Sequence, residues 1–176
     1  MASSFINIKD IGYWAKDGFV EAMQLCLINE IEIQNLDSIE WINEYKNELA
    51  LESLPMIYGG MSMSLDEFVN TDERKAIVIE LIDVITKKID TTDDYLTGPG
   101  LHEIRKRAME ILLETNMLEF KDQEDFERTV NNSGWDISLG IKDVKDRYKH
   151  SFKLLKMLLN GEMNSTASSP ETYWNF

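Results

Sequence analysis

The side chains best suited to catalysis are few, since the chain holds two histidines, His102 and His150, and one cysteine, Cys26. A nucleophilic triad would require a histidine to meet Cys26 or a serine, and no GxSxG elbow marks such a serine. Zinc sites need clusters of cysteine and histidine, and neither histidine has a glutamate three positions before it, as diiron bundles require. We therefore predict no catalytic residue, no metal ligand and no cofactor, and we expect that the protein is not an enzyme.

Phosphate and hard-cation sites are also poorly represented. The DTTDD segment lacks the ligand order and the glycine of an EF-hand loop. The sequence GPG at residues 98–100 predicts a turn and not a phosphate-binding loop. The most basic passage, residues 145–156, interleaves aspartates with its lysines, so it predicts an amphipathic helix and no contact with nucleic acid.

Carboxylates are the chemically active groups that the chain holds in excess. The stretch EWINEYKNELALE, residues 40–52, carries a glutamate at every fourth position. On a helix these side chains are neighbours, and like charges at this spacing destabilise by roughly 0.2–0.5 kcal/mol per pair. No lysine or arginine lies three or four positions from any of them. The four residues are named here the acidic stripe: Glu40, Glu44, Glu48 and Glu52.

The charge is unevenly distributed along the chain. The formal net charge is −14, from 32 acids against 18 bases. Residues 1–100 carry 19 acids and 7 bases, a net of −12, whereas residues 101–176 carry 13 acids and 11 bases, a net of −2. Such a surface repels nucleic acid and anionic membranes and attracts a basic partner. The asymmetry favours a dedicated acidic surface, although glutamate-rich helices and aspartate-rich loops also arise without a binding role.

The sequence offers aromatic anchors among these acids. Trp41 lies between two glutamates of the stripe, and Tyr58 lies in a methionine-rich break. Buried tyrosine and tryptophan carry much of the energy of protein interfaces, but core packing is the competing role for both. A second acidic cluster lacks a local base. The predicted partner-binding residues are Glu40, Trp41, Glu44, Glu48, Glu52, Tyr58, Asp90, Asp93 and Asp94.

These features predict an acidic protein-binding module that neutralises a basic partner. The leading hypothesis is a bacterial immunity protein, an antitoxin that blocks a cognate toxin, with a nuclease as the expected target. A phage anti-defence protein that mimics nucleic acid would use the same acids in two rows. A helical adaptor or regulatory subunit would instead dock through the carboxyl-terminal TYWNF sequence.

The elements that must hold these residues are predicted from apolar spacing, capping residues and breakers. They define an all-α fold, an irregular single-domain bundle of five to seven helices over residues 1–162, followed by a flexible tail at 163–176. Residues 1–9 are predicted as a lead-in, and residues 30–36 as a helix end or loop with a short strand as the alternative. The predicted helices span about 17–29, 38–53, 71–89, 102–117, 123–130 and 138–159.

The sequence also predicts the position of one helix, the start of another and the cellular compartment. The third predicted helix is apolar around most of its circumference, so we expect it at the centre of the bundle. Ser64 and Glu67 match a capping box. The sequence has no apolar amino-terminal segment preceded by positive charge and no apolar run of about 20 residues, so we expect a cytoplasmic protein without a membrane span.

Overall fold

The computed structural model describes residues 3–53, 61–92, 98–132 and 141–170. Within these residues the protein is mostly helical, with seven α-helices and one small sheet of two strands. The strands are β1 (Ser3–Ile8) and β2 (Ile11–Lys16), and the helices are α1 (Asp17–Ile33), α2 (Glu40–Glu52), α3 (Leu65–Phe68), α4 (Asp72–Thr91), α5 (Gly98–Glu114), α6 (Gln123–Asn132) and α7 (Ile141–Leu159).

The prediction of a purely helical fold is corrected by the hairpin at residues 3–16. The strands are antiparallel, and Ile6 pairs with Tyr13 on the face that is buried against the helices. Gly12 pairs with Asn7 at a point of close approach, where an added Cβ would lie 2.1 Å from the carbonyl oxygen of Ile6. The residues predicted as a lead-in therefore form a structured element.

The turn of this hairpin is held by a distant residue. Lys9 has a positive φ of 55°, and its backbone N–H donates to both carboxylate oxygens of Asp66, at 2.9 and 2.8 Å. The turn lacks the Asn-Gly or Asp-Gly sequence that usually marks a two-residue hairpin. A contact across 57 residues thus stabilises a turn that the local sequence does not specify.

The central helix is α1, and the expectation that α4 occupies the centre was wrong. Apolar residues of α1 from Phe19 to Ile31 are buried on all sides, and even Gln24 and Glu30 are fully buried. On α4 only one face is buried, while Val84 is 36% exposed. Apolar residues occur around most of the circumference of α4, but the sequence does not show which of them other elements cover.

Residues 30–36 form the end of α1 and not a strand. The helix continues to Ile33, and a left-handed residue, Asn35, leads into a single 3-10 turn at Leu36–Ser38. Glu30 is fully buried, and its Oε1 accepts a hydrogen bond from Lys88 Nζ on α4. The alternation of apolar and polar residues here does not follow burial, since Glu30 and Ile31 are both buried whereas Ile33 is exposed.

Helix α4 begins as the sequence predicts. Thr71 is the capping residue, and its hydroxyl oxygen accepts from the backbone N–H of Arg74 at 3.3 Å. We expect Thr71→Ala to lower the free energy of unfolding by about 1 kcal/mol, because an orphan N–H of the first turn loses its partner. Urea denaturation measures the change. Thr71→Ser keeps an acceptor and is the control, and equal stability of the two variants would contradict this role.

The segment predicted as a flexible tail begins as packed chain. Met163 and Ser165 are buried, and the backbone N–H of Gly12 donates to the carbonyl oxygen of Ser165 at 2.9 Å. A single bridge also joins Ile11 to Thr166. Residues 163–166 therefore pack along the edge of β2, and residues 167–170 are exposed. Residues 171–176, with the TYWNF sequence, lie outside the described residues.

Two further features complete the fold. The GPG sequence at residues 98–100 begins helix α5, where the sequence predicted a turn. None of the helices in the described part of the chain is both long and apolar enough to cross a bilayer.

Candidate protein-binding site

Helix α2 carries the first half of the acidic stripe on the face opposite its core contacts. Ile42, Tyr45 and Leu49 are buried at helical spacing, as the sequence predicts. Glu40 and Glu44 are exposed, whereas Glu48 and Glu52 are half-buried. The stripe therefore runs from open solvent at the start of α2 into a partly enclosed environment at its end.

The four stripe carboxylates form no ion pair with any side chain that the structure describes. Many other acids of the first hundred residues are paired with bases, several of them from later helices. The stripe is thus a concentration of uncompensated negative charge on a molecule that neutralises many of its other acids. The pairs are Glu21–Arg105, Glu30–Lys88, Glu32–Lys46, Glu32–Arg107, Asp37–Lys46, Asp72–Lys75, Asp83–Lys156 and Asp90–Lys149.

The end of the stripe meets a third carboxylate that the sequence analysis did not place there. Burial, and then repulsion from Glu67 of α3, raise the pKa of Glu48. Burial, and then repulsion from Glu48 and Glu67, raise the pKa of Glu52 to about 7, against hydrogen bonds that lower it. We name Glu48, Glu52 and Glu67 the carboxylate cluster. Groups whose pKa is shifted by burial together with neighbouring charges are enriched at functional sites.

Ser64 fixes Glu52 in this position. The Ser64 hydroxyl donates to Glu52 Oε1 at 3.0 Å, and this bond lowers the pKa of Glu52 against the burial that raises it. The predicted capping box is wrong, because Ser64 adopts a positive φ of 44° and its side chain binds Glu52 and does not cap α3. Glu52 Oε2 and the Tyr45 hydroxyl are both buried, and no described residue forms a hydrogen bond with either atom. Burial, and then the Glu52 charge, raise the pKa of Tyr45.

Trp41 is half-buried and already has a cationic neighbour. The Arg74 guanidinium lies 4.7 Å from the centroid of its indole ring, and Arg74 Nη1 also donates to the carbonyl oxygen of Phe68 at 3.1 Å. This arrangement is a cation–π contact that joins α2 to α4. Trp41 thus contacts Arg74 within the fold, so its ring is only partly available to a partner.

Asp90, the one member of the second predicted acidic cluster that the structure describes, is paired with a base from α7. The Asp90 carboxylate accepts from Lys149 Nζ of α7 at 2.8 Å, and this bond raises the pKa of Lys149. Asp90 is thereby neutralised by a base 59 residues away. Tyr58, Asp93 and Asp94 lie outside the described residues.

The residues considered for catalysis are dispersed over the fold. Cys26 is a free thiol buried in α1, while His102 lies on α5 and His150 on α7. Among the described residues, no group of three or more histidine, cysteine or acidic side chains is arranged to hold a metal ion. The arrangement on α2 and α3 is suited to electrostatic recognition of a cationic surface.

No protein-family model, curated protein or solved structure matches this chain.

Proposed function

We propose that this protein is a binding module without catalytic activity that neutralises a basic protein partner. In the most concrete form of the proposal it is a bacterial immunity protein that acts in the cytoplasm. Its partner is a toxin domain, with a nuclease as the favoured target. The observation that supports this proposal is the set of stripe glutamates that have no ion pair among the described side chains, on a protein that pairs many of its other acids.

The physical reason is charge complementarity. A nuclease must present lysines and arginines to phosphates, so an inhibitor that covers its active site benefits from carboxylates on a rigid helix. Opposite charge also accelerates encounter, which matters when the free partner is toxic. Repulsion within the stripe and the carboxylate cluster raises the electrostatic free energy of the unbound protein. Approaching cations relieve this repulsion, and the relief favours binding.

The experiment is a binding titration against the protein encoded by the adjacent gene, carrying a substitution that removes its toxicity. Charge reversal of two exposed stripe residues, Glu40→Lys with Glu44→Lys, is expected to weaken binding about tenfold, or roughly 1.4 kcal/mol.

The matched control is Glu80→Lys with Glu103→Lys. Both residues are exposed, and neither forms an ion pair with a described side chain, so the control makes the same change in net charge elsewhere. Equal weakening by both double variants would point to net charge alone and would contradict a dedicated surface. Binding of this protein to nucleic-acid-binding proteins, and not to the adjacent gene product, would favour a mimic of nucleic acid.

A further inference from the structure

Large apolar side chains that remain exposed are concentrated at one end of the bundle. Of the five such side chains in the described part of the chain, four flank the carboxyl ends of α1 and α5 and the start of α2. The fifth is Val84 on α4, at 36% exposure. The four are named here the apolar rim: Ile33 at 56% exposure, Ile39 at 39%, Leu113 at 39% and Met117 at 43%.

An ionic network brings these positions together. Arg107 Nη2 donates to Glu32 Oε1 of α1 at 2.9 Å, and its Nη1 donates to Glu114 Oε1 at 2.8 Å. Ile33 follows Glu32 in the chain, and Leu113 precedes Glu114. The Arg107 guanidinium therefore holds the residue next to Ile33 and the residue next to Leu113 at the same end of the molecule.

The same network reaches the start of the acidic stripe. Lys46 Nζ donates to Glu32 Oε1 at 3.2 Å and to Asp37 Oδ2 at 3.0 Å. Asp37 lies in the 3-10 turn that leads to Ile39, and Ile39 immediately precedes Glu40. The apolar rim is thus adjacent in the fold to the exposed end of the stripe.

A groove opens beside Leu113. It has a volume of about 380 Å³ and lies between α5 and α6, with Phe120 and Phe126 in edge-to-face contact along its wall. Its other lining residues are polar, and one of them, Glu110, contacts Arg107 at 3.5 Å. They are Lys106, Glu110, Asp122 and Gln123. The groove is large enough to receive an apolar side chain, so the rim continues into a concave surface.

We propose that the apolar rim and this groove form the anchor of the partner interface and receive an apolar side chain of a basic protein. The inference rests on the proposed function and names the part of the surface that supplies contact energy. Interfaces commonly combine a buried apolar centre with a charged periphery. Here the stripe supplies the charged periphery, and the rim replaces Trp41 as the anchor because Arg74 covers the indole ring.

Charge favours a basic partner over a second copy of this chain. The network holds four carboxylates, Glu32, Asp37, Glu110 and Glu114, against two cations, Lys46 and Arg107, a net of −2. Two copies meeting through this end would bring like charges together, on a chain whose total is −14. A partner with lysines or arginines around an apolar side chain meets both requirements.

The test uses two helical peptides of equal length and charge, one of leucine and lysine and one in which glutamine replaces leucine. We expect the full-length protein to bind the leucine–lysine peptide about tenfold more tightly than the glutamine–lysine peptide. The double variant Ile33→Gln with Leu113→Gln should abolish this gain. The variant Ile33→Gln with Met117→Gln should reduce it, and Val84→Gln, an equally conservative change at an exposed apolar site, should retain it.

The outcomes separate this inference from the proposed function. Equal affinity for both peptides, or a gain in affinity that the rim variants leave unchanged, would contradict the apolar anchor. If the glutamine–lysine peptide still binds in a salt-sensitive way, the proposed acidic surface is retained. Absence of salt-sensitive binding by either peptide would overturn both. Self-association of the protein that the rim variants abolish would assign the rim to a second copy, and the proposed basic partner would then be wrong for this surface.

Discussion

Replacing Arg105 by methionine is expected to lower the free energy of unfolding by about 3 kcal/mol, because it leaves the buried Glu21 carboxylate without its guanidinium partner. The Arg105 Nε donates to Glu21 Oε1 at 2.7 Å, and the two side chains are only 13% and 4% exposed. The pair joins α5 to the central helix α1. Urea denaturation at neutral pH, with the Arg105→Lys variant beside it, measures the loss.

A second variant distinguishes charge burial from lost packing. The double substitution Glu21→Gln with Arg105→Met removes both charges, so we expect it to recover a large part of the stability that Arg105→Met loses. If the double variant is as unstable as the single one, the loss comes from packing of the arginine side chain. In that case the ion pair is not what fixes α5 against α1.

Replacing Glu52 by glutamine is expected to raise the free energy of unfolding at pH 8 by about 2 kcal/mol, allowing for partial solvent screening of a half-buried group. The folded pKa of about 7 lies above the ordinary value of 4.5. The folded protein therefore holds this proton more tightly than the unfolded chain does. Stability from this group is fully present below pH 4.5 and is lost as the pH rises through 7.

The measurement is urea denaturation of the protein and of Glu52→Gln at pH 5 and at pH 8. Glutamine keeps an acceptor for the Ser64 hydroxyl, so the two proteins should differ little at pH 5 and most at pH 8. Glu44→Gln, on the exposed part of the same helix, is the control and should change stability by less than about 0.5 kcal/mol. A gain that is the same at both pH values would contradict ionisation of the half-buried Glu52 carboxyl as its cause.

Features set by local sequence were predictable. Apolar spacing located six of the seven described helices, all except α3, and α4 begins at its Thr71 cap as predicted. The order of exposure along the acidic stripe also followed from a regular helix with Ile42, Tyr45 and Leu49 on its buried face. These results depend on interactions within a few residues, which the sequence displays directly.

Features that depend on distant contacts were missed. The hairpin turn at Lys9 is stabilised by Asp66, and the residues of the turn themselves do not indicate this distant contact. The position of Glu67 beside Glu52 depends on how α3 packs against α2, and the pairing of Asp90 depends on Lys149 of α7. The only available signal for the hairpin was the alternation of apolar residues on both sides of Lys9 and Asp10.

The central claim is that the acidic stripe meets a cationic surface of another protein, and the most direct measurement is the salt dependence of association. The binding protein used in this measurement is the product of the adjacent gene, inactivated by substitution. The association rate constant should fall by about tenfold or more between low and high NaCl, because screening weakens long-range attraction. The dependence of the association rate constant on salt concentration should become weaker for Glu40→Lys with Glu44→Lys. It should remain unchanged for Glu80→Lys with Glu103→Lys. A rate constant that is independent of salt, or one that responds equally to both charge reversals, would contradict the account.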